Sequence, residues 1–188
     1  IGARVTDIAI HPTDPNIVYA AMASGGVWKS TNAGATWDPI FDDQPLQSIG
    51  AIALDPQDPN TIYVGTGEAN SSSYSWSGMG VFRSTDAGAT WEHLGLDETR
   101  YIGRVLVDPH DGDRIWVAAA GVLFGTSPER GVYRTEDGGA TWEQVLAVSD
   151  STAAIDLAYD PAQPDTLYAA MWERVRRLNS RKSGGWTS

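Results

Sequence analysis

"STDAGATW", at residues 84–91, is an eight-residue phrase that the 188-residue chain repeats with few changes. The other copies are STNAGATW at 30–37 and TEDGGATW at 135–142, and each keeps the pattern Ser-x-Asp-x-Gly-x-Thr-Trp with one conservative change. The tryptophans that close the three copies are 54 and 51 residues apart. A self-similar period of this length indicates a repeat architecture, in which each unit is one supersecondary structure.

Each of four repeats opens with a short apolar run that ends in proline. The four runs are VTDIAIHP (5–12), IGAIALDP (49–56), IGRVLVDP (102–109) and AIDLAYDP (154–161). A second apolar run, a loop and a third run such as GVFRS (80–84) follow, and the Trp of the phrase opens a short fourth run. Short β-branched and aromatic runs bounded by Gly, Pro, Asn and Asp are typical of strands. The chain shows no segment of useful length with the helical period.

Four antiparallel strands repeated at about fifty residues predict an all-β fold, the β-propeller, in which each repeat is one blade. About three and two-thirds blades are predicted, so the ring is incomplete. The predicted blades span about 1–45, 46–98, 99–149 and 150–188. An incomplete ring leaves an open blade face and unpaired strand edges. We therefore expect either further blades of a longer parent chain or closure by self-association, and we favour the former.

The side chains at fixed positions of the phrase favour a tight turn. The Asp or Asn can accept hydrogen bonds from nearby backbone N–H groups, and the Gly permits a backbone angle that a Cβ disfavours. The Trp supplies a large apolar plate that anchors the hairpin to its blade. We interpret the phrase as a structural clasp between the third and fourth strands. The residues assigned to it are Ser30, Asn32, Gly34, Thr36, Trp37, Ser84, Asp86, Gly88, Thr90, Trp91, Thr135, Asp137, Gly139, Thr141 and Trp142.

The phrase, complete at Ser84–Trp91, resembles the Asp-box, or BNR, repeat. Propellers with this repeat include sialidases, xyloglucan-cleaving glycosidases, sortilin-type receptors and a photosystem assembly factor, and in this group the box is not the active site. The spellings HPTDPN (11–16), YVGTGEAN (63–70) and GGVWKSTN (25–32) resemble large bacterial multi-blade proteins with a sortilin-like region, described as glycosyl hydrolase-like. The resemblance implies the fold and does not decide the function.

Composition narrows the classes of partner. The net charge of −11 disfavours a nucleic-acid partner, because phosphate binding needs a basic surface. No apolar run is long enough for a membrane span. The three histidines lack zinc-type spacing. We expect neither a metal nor a cofactor. ERVRRLNSRK (173–182) is an exception with five positive charges and one Glu; it is interpreted as a solvated loop or as a surface for an anionic partner.

The start of the chain bears on its origin. It begins at Ile1 without Met, and no signal-peptide pattern is visible. We expect a processed or excised piece of a longer protein that acts outside the cytoplasm, secreted or periplasmic. With no cysteine, stability depends on packing.

The loops between the second and third strands lie on the face opposite to the phrase. Those at 67–78, 120–130 and 172–184 are long, and variable loops on a rigid scaffold are where binding is usually placed. Their carboxylates and aromatics suit a carbohydrate cleft, although each aromatic could simply pack its loop onto the propeller. The predicted ligand-binding residues are Glu68, Tyr74, Trp76, Glu129, Arg130, Trp172 and Arg174 of these loops, and Arg104 of a first strand. Phe124 and Glu173 lie in the same loops.

A column five residues before each proline contains Asp7, Ala51, Arg104 and Asp156, where the first strands line the axis. Charges here could grip a polar ligand at the mouth of the channel. They could equally form ion pairs that fix neighbouring blades, which is the interpretation that we favour.

An enzyme of this kind would be a glycoside hydrolase, which usually needs two carboxyl groups at a set separation. Glu68 is the best single catalytic candidate, with Asp7 or Glu129 as its partner. Two departures from relatives weaken this hypothesis. Where sialidases have an Arg-Ile-Pro motif, this chain has Arg-Ile-Trp at 114–116. Where xyloglucan-cleaving relatives have a catalytic Asp before Gly-Gly, this chain has Ala23.

Two functions therefore stay open, besides a purely structural role in a large extracellular protein. The first is a binding scaffold for polypeptide or glycan, within a larger sortilin-like bacterial protein. The alternative is a glycoside hydrolase, xyloglucanase- or sialidase-like, whose active site is completed by blades outside this chain.

Overall fold

The computed structural model describes residues 3–70, 75–160, 162–177 and 179–184, and nearly all of its regular structure is β-strand. Within those ranges the strands follow one another in chain order, with one 3₁₀ turn at Asp97–Thr99. The strands are β1 (Val5–Ile10), β2 (Val18–Met22), β3 (Val27–Ser30), β4 (Asp38–Pro39), β5 (Ile49–Leu54), β6 (Ile62–Thr66), β7 (Val81–Ser84), β8 (Glu92–His93), β9 (Ile102–Val107), β10 (Ile115–Ala119), β11 (Gly131–Thr135), β12 (Glu143–Leu146), β13 (Thr152–Asp160), β14 (Gln163–Arg177) and β15 (Ser180–Gly184).

The strands form four antiparallel sheets, and in each sheet every strand pairs with the next one along the chain. Strands β1–β4, β5–β8 and β9–β12 make three sheets of four, and β13–β15 make a sheet of three. The first strands of successive sheets contact one another in chain order. Consecutive meanders with their first strands side by side are the blades of a propeller. The predicted all-β propeller is confirmed, and the sheets are called blades 1 to 4 below.

Two glycines let the first strands approach closely at the axis. A Cβ at Gly50 would overlap the backbone carbonyl of Ile102 in β9, and a Cβ at Gly103 would overlap that of Ile155 in β13. Any side chain at these positions would push neighbouring blades apart.

Large apolar side chains fill the space between neighbouring blades. Between blades 1 and 2, the buried Phe41 ring meets Phe82 and Trp91 edge-on, at ring-centre distances of 5.5 and 4.9 Å. Successive residues of β10 face opposite ways, so that Val117 packs toward blade 2 and Trp116 toward blade 4. Burial of one such side chain stabilises a fold by about 1.5–3 kcal/mol. The core therefore lies between the blades.

Each copy of the phrase is a tight turn held by its own side chains. In the second copy, Ser84 Oγ accepts a hydrogen bond from the N–H of Gly88 at 2.8 Å. Asp86 Oδ1 accepts from the N–H of Thr90 at 2.8 Å, and Asp86 Oδ2 accepts from the Thr90 hydroxyl at 2.6 Å. Hydrogen bonds from Thr90 and Ser84 lower the pKa of Asp86 to about 2. The carboxylate is thus the centre of the turn.

The tryptophan of the phrase joins its blade to the preceding one. Trp91 Nε1 donates to the carbonyl of Ile40 at the end of blade 1, at 2.7 Å. Trp142 Nε1 donates in the same way to the carbonyl of Leu94 at the end of blade 2, at 2.9 Å. The contact repeats from one blade to the next.

Cations on the third strands make the reverse contact. Lys29 Nζ donates to the carbonyl of Ala87, and Arg83 Nη1 donates to that of Gly138, at 3.1 and 3.0 Å. Both acceptors lie in the phrase of the following blade. The phrase is therefore a clasp between blades. Trp37 differs from the other two tryptophans, because its indole N–H donates to the carbonyl of Gly34 within its own turn, at 3.0 Å.

Blade 4 departs from the prediction. A long loop is predicted at 172–184, but β14 continues to Arg177 and turns into β15, which pairs with Glu173–Arg177. The strong charge of this run favours a loop, whereas the alternation of polar and apolar residues through Val175 is compatible with a strand. The predicted third strand, GGWTS, lies outside the described residues from 185 onward. Within the described ranges, no helix is long and apolar enough to cross a membrane.

Candidate functional site

The same irregularity occurs in the first strand of every blade. Where the first strand pairs with the second, the register shifts by one residue, which is a β-bulge. The four extra residues are Thr6, Gly50, Gly103 and Ile155. They line one cavity of about 350 Å³ near the axis, together with Ala69, Asn70, Arg104, Asp156 and Trp172. Because bulges re-aim side chains beside functional sites, this axis cavity is the candidate site.

Arg104 lies in the axis cavity between two carboxylates. Its Nε donates to Asp156 Oδ1 at 2.6 Å, and its Nη1 donates to Asp7 Oδ2 at 3.3 Å. These residues belong to blades 3, 4 and 1, so one guanidinium connects three blades. The ion pairs predicted for this column are present, whereas Ala51 is buried in the core.

The Arg104 guanidinium keeps Asp156 ionised. Partial burial of this carboxyl acts to raise its pKa, but the hydrogen bond and positive charge of Arg104 outweigh burial and hold the pKa below its usual value. The Asp156 side chain is 53% exposed, so its carboxylate can also accept a hydrogen bond from a ligand hydroxyl. It is poorly suited to act as a general acid, because that role needs a carboxyl whose pKa is raised toward neutral pH.

Trp172 and Asn70 add an aromatic ring and an amide to the axis cavity. The Arg174 guanidinium lies 5.2 Å from the centre of the Trp172 ring, within the range of a cation–π interaction. The amide of Asn70 can both donate and accept hydrogen bonds. One aromatic face among a few placed polar groups is the usual lining of a small-molecule site.

Trp76 is a second aromatic on the loop face, and its side chain is 67% exposed. Its backbone is fixed, because its carbonyl accepts hydrogen bonds from the Ser48 hydroxyl at 2.9 Å and from the Glu68 N–H at 3.4 Å. Beside it lies a cavity of about 370 Å³ that Leu46 and Gln47 also line. An exposed indole on a fixed backbone offers a stacking surface.

Glu68 is enclosed within the protein. Its side chain is 2% exposed and forms an ion pair with Arg4. The Ser75 hydroxyl donates to its other oxygen at 3.4 Å. The structure thus brings Glu68 together with Arg4, which fastens the start of blade 1 to a loop of blade 2. It does not line the axis cavity. Tyr74, from the same predicted set, lies outside the described residues.

Arg130 is also buried, at 2% exposure. Its guanidinium donates to four backbone carbonyls, those of Val122, Gly125, Ser151 and Arg174. Burial lowers the pKa of the Arg130 guanidinium. This side chain holds the loops of blades 3 and 4 together and is not presented to a ligand.

The remaining predicted loop residues divide between packing and exposure. Glu129 accepts a hydrogen bond from the Tyr133 hydroxyl at 2.9 Å, and Arg174 is buried. Phe124 is 50% exposed, with the Arg176 guanidinium 4.8 Å from its ring centre. Of the predicted set, Arg104 and Trp172 meet in the axis cavity, and Trp76 stands apart from them.

The bulge residues were missed by sequence reasoning. The signal available was the second-place glycine of two first strands, Gly50 and Gly103, since an isolated glycine in a strand often marks a bulge. Thr6 and Ile155 carry no such signal, because both are ordinary strand residues. Within the described ranges, no three potential metal-ligating side chains converge.

Several relatives of the chain are xyloglucanases. No family model matches the chain. It is 31% identical over 200 residues to the xyloglucanase of Hypocrea jecorina, across 100% of this chain and 23% of that protein. It is 30% identical over 159 residues to a xyloglucanase of Paenibacillus sp, across 78% of this chain and 15% of that protein. The chain thus spans less than a quarter of the length of these relatives.

Two solved structures superpose on this chain and share its architecture. An ancestral GH74 enzyme superposes with a TM-score of 0.69 at 23% identity, across 90% of this chain and 22% of that one. This chain is a β-propeller. The GH74 xyloglucanase from Xanthomonas campestris superposes with a TM-score of 0.63 at 26% identity, across 90% of this chain and 28% of that one. The propeller therefore resembles glycoside hydrolases in sequence as well as in fold.

Proposed function

We propose that this chain is a glycan-binding part of a xyloglucanase-like β-propeller, and that the catalytic carboxylates of such a protein lie outside it. The observation that carries the proposal is the axis cavity, in which Arg104, Asp156 and Asn70 are set beside Trp172. The xyloglucanase relatives supply the class of glycan.

The chemistry of the cavity suits an uncharged polysaccharide. Xyloglucan offers sugar ring faces and hydroxyls but no charge. The Trp172 ring can stack on one sugar, and the exposed Trp76 indole can stack on another. The two carboxylates Asp7 and Asp156 offset the positive charge of Arg104, so the cluster can donate to and accept from hydroxyls without attracting an anionic ligand.

The carboxylates support binding rather than catalysis within this chain. Glu68 is buried against Arg4, while Asp7 and Asp156 share the Arg104 guanidinium. A glycosidase needs one carboxyl that gives a proton to the leaving oxygen, and the lowered pKa of Asp156 opposes that role. The resemblance to xyloglucan-cleaving propellers implies that the position of their catalytic Asp holds Ala23 in this chain.

Further features belong to the same proposal. The three turns are Asp boxes of a BNR-type propeller, in a sortilin-like bacterial protein that works outside the cytoplasm. The blades divide near residues 45, 98 and 149, and further blades complete the ring.

The proposal is tested by calorimetric titration of the full-length protein with xyloglucan oligosaccharides. We expect Trp76→Ala and Trp172→Ala each to weaken binding by about tenfold, because each removes a stacking face. Val145→Ala, which shortens an exposed apolar side chain on the outer strand β12, is the matched control and should bind as the wild type does. Wild-type protein that ignores xyloglucan and binds peptides instead would establish the polypeptide scaffold.

A further inference from the structure

The loop between β6 and β7 carries Trp76, whose indole is one of the two stacking faces of the proposed glycan site. The structure describes this loop at its two ends, residues 67–70 and 75–78. The first end contains Glu68, and the second end contains Ser75 and Trp76. The contacts that hold the second end therefore set the position of the Trp76 indole.

Glu68 is enclosed in the protein and reaches across to the second end of the loop. Its backbone forms a parallel bridge with Ile102 in β9, which fixes the first end. Its N–H donates to the carbonyl of Trp76 at 3.4 Å. One carboxylate oxygen accepts a hydrogen bond from Arg4 Nη2, and the other accepts from the Ser75 hydroxyl at 3.4 Å. The side chain is 2% exposed, so the carboxylate is shielded from water.

Ser75 is held at two of its polar groups. Its carbonyl accepts a hydrogen bond from the Tyr101 hydroxyl at 3.3 Å, and its own hydroxyl donates to Glu68. The next residue is Trp76, whose carbonyl accepts from the Ser48 hydroxyl at 2.9 Å. The Glu68 carboxylate thus helps to set the direction in which the chain enters Trp76.

An enclosed carboxylate is a costly way to gain stability alone. Its loss of hydration is large, and apolar residues of similar volume are often as stabilising as a buried ion pair. Hydrogen bonds to a charged acceptor are nevertheless shorter and stronger than neutral ones. Because Arg4 is 54% exposed, its charge stays solvated, and Glu68 carries most of the cost. The arrangement fits a carboxylate that fixes the geometry of the loop.

We propose that Glu68 is a positioning residue, which holds the Trp76 indole in place to stack on a sugar and does not touch the glycan itself. The inference rests on the proposed function, because it assigns a role within the same glycan site. It also gives Glu68 a task other than catalysis, since a carboxylate enclosed beside Arg4 is not presented to a glycosidic bond.

The first test is a double-mutant cycle, measured by calorimetric titration of the full-length protein with xyloglucan oligosaccharides. Glu68→Gln removes the charge, keeps the shape of the side chain and leaves the exposed Arg4 in water. We expect it to weaken binding by about three- to tenfold. Because Glu68 acts through Trp76, adding Glu68→Gln to Trp76→Ala should weaken binding no further. A full additional loss in the double variant would overturn the inference.

Fluorine NMR of the protein labelled with fluorotryptophan gives a readout that a general loss of stability would not move. The Trp76 signal is identified by its absence in Trp76→Phe. Glu68→Gln should shift or broaden this signal and leave the signals of distant tryptophans in place. Glu143→Gln removes a carboxylate from an exposed pair with Arg134 on β12 and is the matched control. It should change neither the Trp76 signal nor the affinity.

Arg4→Lys is the conservative variant, because it keeps a cation beside Glu68, and it should bind within about twofold of the wild type. Thermal unfolding of each variant separates a misplaced indole from a lost fold. An unmoved Trp76 signal in Glu68→Gln, or equal losses of affinity in Glu68→Gln and Glu143→Gln, would overturn the inference. A wild type that does not bind xyloglucan would refute the proposed function, and the fluorine signal would still decide whether Glu68 positions Trp76.

Discussion

The indole N–H of Trp91 donates a hydrogen bond to the backbone carbonyl of Ile40, 2.7 Å away and 51 residues earlier in the chain. Gly88 packs on the same isoleucine, since a Cβ at this glycine would overlap its side chain. The eight-residue phrase therefore holds one blade against the one before it. Its repetition follows from the need for the same joint at each boundary.

Trp91→Phe is expected to destabilise the chain by about 1 kcal/mol, because it removes one partly buried hydrogen bond and keeps an apolar ring. Trp37→Phe is the matched control, since the Trp37 N–H bonds only to the carbonyl of its own turn. Urea unfolding of both variants measures the difference. Equal losses would contradict a joint between blades.

Gly88→Ala is expected to cost more stability than Gly95→Ala. Both glycines have a left-handed backbone, with φ of 93° and 84°, so both alanines pay a similar conformational penalty of about 1–2 kcal/mol. A Cβ at Gly95 has nothing within 4 Å, whereas one at Gly88 meets Ile40. Overpacking should add about 1 kcal/mol at Gly88. Identical unfolding free energies for the two variants would show that the contact with Ile40 carries no cost.

Acid should weaken the turns through their carboxylates. Hydrogen bonds from Thr90 hold the pKa of Asp86 at about 2 in the folded chain, below the value near 4 of an unfolded aspartate. The carboxylate therefore contributes stability that is fully present above about pH 4 and is lost as the pH falls toward 2.

Asp86→Asn should remove that part of the pH dependence, and the first copy of the phrase already carries Asn32 at this place. The midpoint of thermal unfolding, followed from pH 5 to pH 2, checks the expectation. A variant curve with the same slope as the wild type would show that this carboxylate does not titrate as described.

Arg104→Gln should raise the pKa of Asp156, because it removes the hydrogen bond and charge that lower it. Carboxyl carbon shifts in an NMR titration would report this pKa directly. The guanidinium is partly exposed, so the loss of stability is expected to be only about 1 kcal/mol. Arg134→Gln, at an exposed pair with Glu143, should leave the titration of Asp156 unchanged.

Local hydrogen bonds explain why the blade could be predicted from the sequence. Within the phrase, Ser84 bonds to Gly88 and Asp86 bonds to Thr90, each four residues away. Hydrogen bonds between residues four apart fall within the eight residues of the phrase, so the pattern that makes them can be recognised in the sequence. The bond from Trp91 to Ile40 crosses between blades, so the phrase predicted a clasp between the third and fourth strands of one blade but not the joint with the preceding blade.

Burial divides the predicted site residues into enclosed and accessible side chains. Glu68 and Arg130 were selected as charged residues in long loops, yet both are 2% exposed. The partner of Glu68 is Arg4, which lies 64 residues away. Such pairing depends on how loops of different blades meet, which a one-dimensional pattern does not contain. Trp76 and Trp172 stay predicted binding residues, because the Trp76 side chain is exposed and Trp172 lines the axis cavity.

The most direct test of glycan binding in the axis cavity is a crystal structure of the full-length protein with a bound xyloglucan oligosaccharide. We expect a sugar ring in the axis cavity, stacked on Trp172 and hydrogen-bonded to Arg104 and Asp156. An oligosaccharide bound elsewhere, with the axis cavity holding only solvent, would contradict it.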